Sequence, residues 1–78
     1  MTISLRRLEV GRKARIAGVQ AEGELGRRIR DMGIIPGTEV EVVGRAPLHD
    51  PVALRLPGFT LSLRNSEADH IMVEPLDV

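Results

Sequence analysis

Only Pro57 and Gly58 separate two runs in which apolar and polar side chains alternate, and that spacing constrains the fold more than any other feature of the chain. Val52, Leu54 and Leu56 alternate with Ala53 and Arg55, while Phe59, Leu61 and Leu63 alternate with Thr60, Ser62 and Arg64. A period of two places every second side chain on one face, so each run reads as a strand with one buried side. So short a connection leaves only an antiparallel pair closed by a tight turn. Proline at the first turn position forbids a positive φ there, which excludes types I′ and II′. A type II turn with Gly58 at φ > 0 remains.

The same alternation recurs elsewhere. Ala14 and Ile16 alternate with Arg15 and Ala17, and Val40 and Val42 alternate with Glu39 and Glu41. Ile71 and Val73 begin a last short strand, and Gly44 to Asp50 reads as a loop with Pro47 and Pro51 at its margins. Ser4 suits the cap of a single helical turn carrying Leu5 and Leu8, and Ser66 suits the cap of another over residues 66–70. Between residues 22 and 32 the period changes. Leu25, Ile29 and Met32 fall at i, i+4 and i+7, one stripe of a helix, while Arg27, Arg28, Arg30 and Asp31 face outward. Gly23 is a weak cap for this helix. Its end is marked more strongly: Gly33 stands where a left-handed residue is wanted, Ile34 folds back onto Ile29, and Pro36 forbids continuation.

About five short strands whose inward faces are Val, Leu and Ile would leave one apolar face bare as a flat sheet. Curling the sheet on itself buries that face and removes most unpaired edges. The expected architecture is therefore mainly β: a small, partly open β-barrel with one inserted amphipathic α-helix plugging its mouth through Leu25, Ile29 and Met32. The 78 residues form one domain, 1–78. There is no Cys, hence no disulfide or thiolate metal site, and with a single Phe and no Trp or Tyr the core must be aliphatic. Phe59 is expected inside it.

Eleven basic residues balance eleven acidic ones, so the chain lacks the positive charge with which nucleic-acid binders neutralise phosphates. No aromatic platform is available for stacked bases or for a polyproline peptide. No run is long enough to insert into a bilayer, and Met1 to Arg7 lacks a signal-peptide core, so the expected compartment is the cytosol. Nucleophile elbows and glycine-rich phosphate loops are absent, so no catalytic residue and no cofactor are expected. Two His-Asp neighbours, His49 with Asp50 and Asp69 with His70, are opportunistic metal candidates. Three or four converging ligands are needed for a real centre, which two such pairs reach only by meeting in space or by joining those of a second copy, so a weak or metal-mediated homodimer stays open. The expected role is docking. Leu48 lies in a polar loop, Ile35 follows the helix, and Val43 and Met72 are on the outward phase of their strands. Leu48, Ile35 and Met72, with the basic cluster Arg27, Arg28 and Arg30, are the candidate partner contacts.

The run Arg28-Ile29-Arg30-Asp31-Met32-Gly33-Ile34-Ile35-Pro36-Gly37-Thr38-Glu39-Val40 resembles the helix-to-strand signature of the FeoA family. Ala46-Pro47-Leu48-His49-Asp50-Pro51 resembles that family's A-P-L-x-D-P loop, and Leu61 to Val73 resembles its L-x-L-R-x-x-E-A-x-x-I-x-V ending. Leu5 to Gly11 is similar to its usual opening, so the match runs in order through nearly the whole chain. His49 departs from the glycine common at that position, and Pro57 stiffens the hairpin. The resemblance implies an SH3-like barrel and a cytosolic accessory of FeoB, the GTPase-containing membrane permease for ferrous iron. It also implies the runner-up, a regulatory module like the C-terminal domain of iron-dependent repressors of the diphtheria-toxin-repressor type. A start at Met1, with no DNA-binding helices before it, favours the accessory.

Overall fold

A computed structural model describes residues 1–76. Six strands form one antiparallel sheet: β1 (Ile3–Ser4), β2 (Lys13–Val19), β3 (Glu39–Arg45), β4 (Val52–Leu56), β5 (Phe59–Leu63) and β6 (Ile71–Pro75), in the order β1-β6-β2-β3-β4-β5. Helix α1 (Gly23–Asp31) joins β2 to β3, and a one-turn α2 (Asn65–Ala68) joins β5 to β6. The sheet curls around its apolar face without β1 and β5 pairing, giving the partly open barrel the alternation predicts.

Two register shifts help the sheet bend. Across β2 and β6 the pairing passes from Ile16↔Val73 to Gly18↔Met72, leaving Ala17 as the extra residue. Across β3 and β4 it passes from Val42↔Leu54 to Gly44↔Ala53, leaving Val43 extra. Such bulges locally increase twist and curvature. They also explain why Val43 breaks the alternation: it is the bulged position, half-buried on neither regular phase.

Leu5, Ile16, Val42, Val52, Leu54, Leu63, Ile71 and Val73 are fully or almost fully buried in a single aliphatic core. Helix α1 adds Ile29, with Leu25 and Met32 packed partly buried against it. The helix ends as its sequence requires. The Met32 N–H donates to Arg28 and Ile29 carbonyls, Gly33 takes φ 94°, and Ile34 turns inward to full burial. The β4–β5 turn has Gly58 at φ 87°, as a type II turn demands.

Three local expectations are corrected. Phe59 is 47% exposed rather than in the core, because β5 is the edge strand and its first residue lies beyond the covered part of the sheet. Its ring covers Gly33 instead, where an added Cβ would lie 3.2 Å from Phe59 Cζ. Ser66 does not cap α2. The cap lies two residues earlier, at Arg64, whose N–H donates to Glu67 Oε1 at 3.1 Å. Finally, the sheet has a sixth strand, the two-residue β1, which pairs Ile3↔Val73 and Ser4↔Met72.

Candidate partner-binding surface

The chain from Arg45 to Pro51 crosses the surface as a turn. Pro47–His49 winds once, and within it Leu48 takes φ 69° and ψ 13°, the left-handed conformation that branched or bulky side chains normally avoid. The consequence is exposure. Leu48 is 94% exposed, so it caps no part of the barrel. Beside it stands Val10, 54% exposed, and the two share an open depression of about 670 Å³ lined also by Glu9, Arg45, Ala46 and Pro47.

This apolar corner is held rigidly. Arg45 Nη2 donates to the carbonyls of Arg6 (2.8 Å) and Leu8 (2.9 Å), tying the end of β3 to the 3₁₀ turn Leu5–Arg7. The turn is capped by Ser4, whose Oγ accepts from the Arg6 N–H (3.3 Å) and donates to the Ala68 carbonyl (3.1 Å). On the other side Ala46 N–H donates to Pro51 O at 3.0 Å, closing the loop at its base. A guanidinium that satisfies two carbonyls fixes the relative position of both segments, so Val10 and Leu48 are presented on an anchored frame.

The other candidate contacts lie elsewhere. Ile35 is 50% exposed next to Gly33, on the same rim as Phe59. Met72 is half-buried in β6, opposite Ser4 of β1 and Gly18 of β2. Neither lines the depression beside Leu48. The basic cluster of α1 is largely occupied by its own helix and by α2. Arg27 lies 3.9 Å from both Glu24 and Asp31, and Arg28 Nη2 lies 3.5 Å from Glu67 Oε2. Arg30 is exposed and makes no ion pair among the described residues.

Glu67 was not foreseen as important, yet it is the one buried charged side chain among the described residues. One oxygen caps α2 through Arg64 N–H and the other receives Arg28 from α1. Replacing Glu67 by alanine is expected to cost about 1–2 kcal/mol, the loss of a helix cap plus a weak ion pair. Glu67→Gln, which keeps the cap acceptor, is expected to cost less than half as much. Urea unfolding of the two variants checks the order; equal losses would show that the ion pair, not the cap, dominates.

The metal candidates do not converge. Asp50 Oδ1 accepts the Asn65 N–H at 3.0 Å and so helps begin α2. Asp69 pairs with the Arg6 guanidinium at 3.2 Å, and His70 Nδ1 lies 3.2 Å from the Gln20 carbonyl. The His49 side chain lies outside what the structure describes. Among the described residues no group of three or more His, Asp or Glu side chains is placed to hold a metal ion. A second, smaller depression over β2–β4, of about 220 Å³, is lined by Lys13, Glu39, Val40, Glu41, Arg55, Leu56 and Pro57. Arg55 and Glu41 pair across it at 3.5 Å.

Fold and surface together define a small barrel module that offers side chains on an anchored outer corner. The FeoA domain model matches residues 3–75, and the chain belongs to the FeoA family. It is 40% identical over 70 residues to an Fe(2+) transport protein A/Fe(2+) transporter FeoB fusion protein of Porphyromonas gingivalis, a match that takes in 90% of this chain but only 8% of that protein's length. Among solved structures it is similar to a FeoA-like protein of Clostridium acetobutylicum (47% identity, TM-score 0.92, covering 99% of this chain and 90% of that one). It is also similar to the zinc-complexed FeoA of Stenotrophomonas maltophilia, described as an SH3 domain protein (31% identity, TM-score 0.79, 95% and 89% covered). A manganese-dependent transcriptional repressor carries the same fold over 42% of its chain, at 20% identity and TM-score 0.86; this likeness concerns fold alone.

Proposed function

We propose that this chain is a non-catalytic accessory of ferrous iron uptake, a cytoplasmic module that docks on the cytosolic part of a FeoB-type GTPase-permease and so works at the inner face of the membrane. The observation that carries this reading is the P. gingivalis relative, in which a domain similar to this chain is part of one polypeptide with an Fe(2+) transporter. Covalent fusion holds two modules at a high effective concentration, an arrangement useful when they act together. The chain's own features fit the accessory role. Among the described residues no helix is long and apolar enough to cross a membrane, and several large apolar side chains, Leu48 and Val10 among them, lie exposed outside the core. The exposed Leu48–Val10 corner is the docking surface this reading favours.

The regulatory reading rests on a likeness of fold alone, at 20% identity to a manganese-dependent transcriptional repressor, whereas the transporter-fusion relative is 40% identical. A metal-carrier reading would require converging ligands, whereas Asp50, Asp69 and His70 are engaged separately, with Asn65, Arg6 and Gln20.

The test is a direct one. Immobilised cytosolic domain of the FeoB-type permease is expected to retain the chain at micromolar concentration, while anaerobic calorimetry with ferrous iron on the isolated chain shows no stoichiometric uptake. Absence of retention rejects the docking function, and tight iron binding by the monomer would replace it with a carrier role.

A further inference from the structure

We propose that the outer edge of β5 is a self-association surface through which two copies of this chain pair antiparallel, extending their sheets into one. Strand β5 pairs only with β4, and the sheet order leaves its other side open. The hairpin fixes which groups face that side. Leu56 and Phe59 flank the two-residue turn and form its closing, hydrogen-bonded pair, so Leu54↔Leu61 and Val52↔Leu63 are bonded pairs as well. Thr60 and Ser62 occupy the intervening positions, and their N–H and C=O groups point away from β4. Both residues are exposed, and neither backbone has a hydrogen-bond partner among the described residues.

Edge strands are usually protected by a charge, a proline, a bulge or extreme shortness. The opposite edge obeys this rule: β1 has only two residues. Strand β5 does not. Phe59–Leu63 contains no charged residue and no proline, and its register with β4 is unbroken over five residues. The segment Phe-Thr-Leu-Ser-Leu also reads apolar-polar-apolar-polar-apolar from either end. That symmetry is what makes a second copy the occupant. Antiparallel pairing centred on Leu61 sets Thr60 against Ser62 of the other copy, each pair exchanging both backbone bonds, and sets Phe59 against Leu63 on the apolar face. The exposed Phe59 thereby gains a cover, and Arg64 falls opposite Gly58, so no like charges meet across the seam. With a formal net charge of zero, two copies approach without overall repulsion.

Sedimentation equilibrium over a concentration series tests this. The wild-type chain is expected to show a concentration-dependent monomer–dimer equilibrium, with exchange of the Thr60 and Ser62 amides slowing as the dimer fills. Ser62→Pro removes an outward-facing donor that β4 does not use, and is expected to weaken dimerisation at least about tenfold. A second pair of variants guards against misfolding. Thr60→Lys with Ser62→Lys is expected to abolish self-association, and mixing it with Thr60→Glu/Ser62→Glu to restore it as a heterodimer. A wild-type chain that stays monomeric to millimolar concentration overturns the proposal, as does a Ser62→Pro variant that dimerises like wild type. Should the wild type be monomeric while Ser62→Pro weakens retention by the permease domain, the edge belongs to that partner instead of to a second copy. Loss of docking with dimerisation intact would reject the proposed function alone.

Discussion

Replacing Gly26 by alanine is expected to cost about 3 kcal/mol and to lower the thermal midpoint by roughly 15 °C. In most exposed helix interiors the same change stabilises, by up to about 1 kcal/mol, because glycine loses more backbone freedom on folding. Here the geometry reverses the sign. Gly26 is buried on the inner face of α1, and an ideal Cβ built on it overlaps the Ala21 carbonyl oxygen and lies 3.0 Å from its carbon. Both atoms are backbone, so no rotamer change relieves the overlap.

Relief would have to come from one of two shifts. The strand end before the helix could back away, but Gln20 N–H is bonded to His70 O at 2.7 Å. Alternatively α1 could lift, which draws Ile29 out of a core where it is fully buried. Either shift loosens the plug. A midpoint that holds or rises on thermal unfolding of Gly26→Ala would show that helix and strand do not approach this closely.

How much of this could be seen in the sequence depends on the range of the interactions. The β4–β5 hairpin and the end of α1 were legible because their signals are local: two turn residues between alternating runs, and a glycine and a proline three residues apart. Strand β1 was not, since two residues carry no period and form a strand only because Val73 and Met72 lie beside them. Bulges at Ala17 and Val43 were hidden for a related reason. An extra residue shows in the chain only as a lapse in alternation, and the alanines and glycines around it blur that lapse. Phe59 was misplaced because alternation reports the face of a strand and not how far along it the core extends.

The candidate surface divides in the same way. Leu48 stood out as an apolar residue with no inward role, whereas Val10 gave no signal. Its place beside Leu48 depends on Arg45 reaching the carbonyls of Arg6 and Leu8 across 39 and 37 positions of chain. The basic cluster was visible, but its neutralisation was only partly so. Glu24 and Asp31 share the helix with Arg27, while Glu67 comes from an element 39 residues from Arg28. Nothing in the sequence marks Gly26, whose need for glycine comes from its approach to the Ala21 carbonyl. Neither this close approach across five residues nor the long reach of Arg45 to two carbonyls leaves a pattern along the chain.

At Leu48, folding and binding are expected to pull in opposite directions. A leucine at φ 69° carries a steric penalty of about 1–2 kcal/mol that glycine does not, and its side chain, being 94% exposed, recovers almost nothing from burial. Leu48→Gly is therefore expected to raise stability by about 1 kcal/mol in urea unfolding, after allowance for glycine's greater freedom in the unfolded chain. Under the docking proposal the same substitution lowers affinity for the permease's cytosolic domain at least about tenfold, because it deletes the central apolar contact of the corner. Leu48→Asp is expected to lower affinity further while leaving the thermal midpoint nearly unchanged, since a carboxylate there remains in water. Val10→Asp, on the other wall of the depression, is expected to act in the same direction. Strain at a residue that contributes little to the core is difficult to account for by stability alone, and under the docking proposal a partner covering Leu48 would supply the compensating burial. Titrating each variant against the immobilised domain separates the outcomes. Affinity unchanged by both Leu48→Gly and Leu48→Asp would remove this corner from the interface, even if the chain still binds.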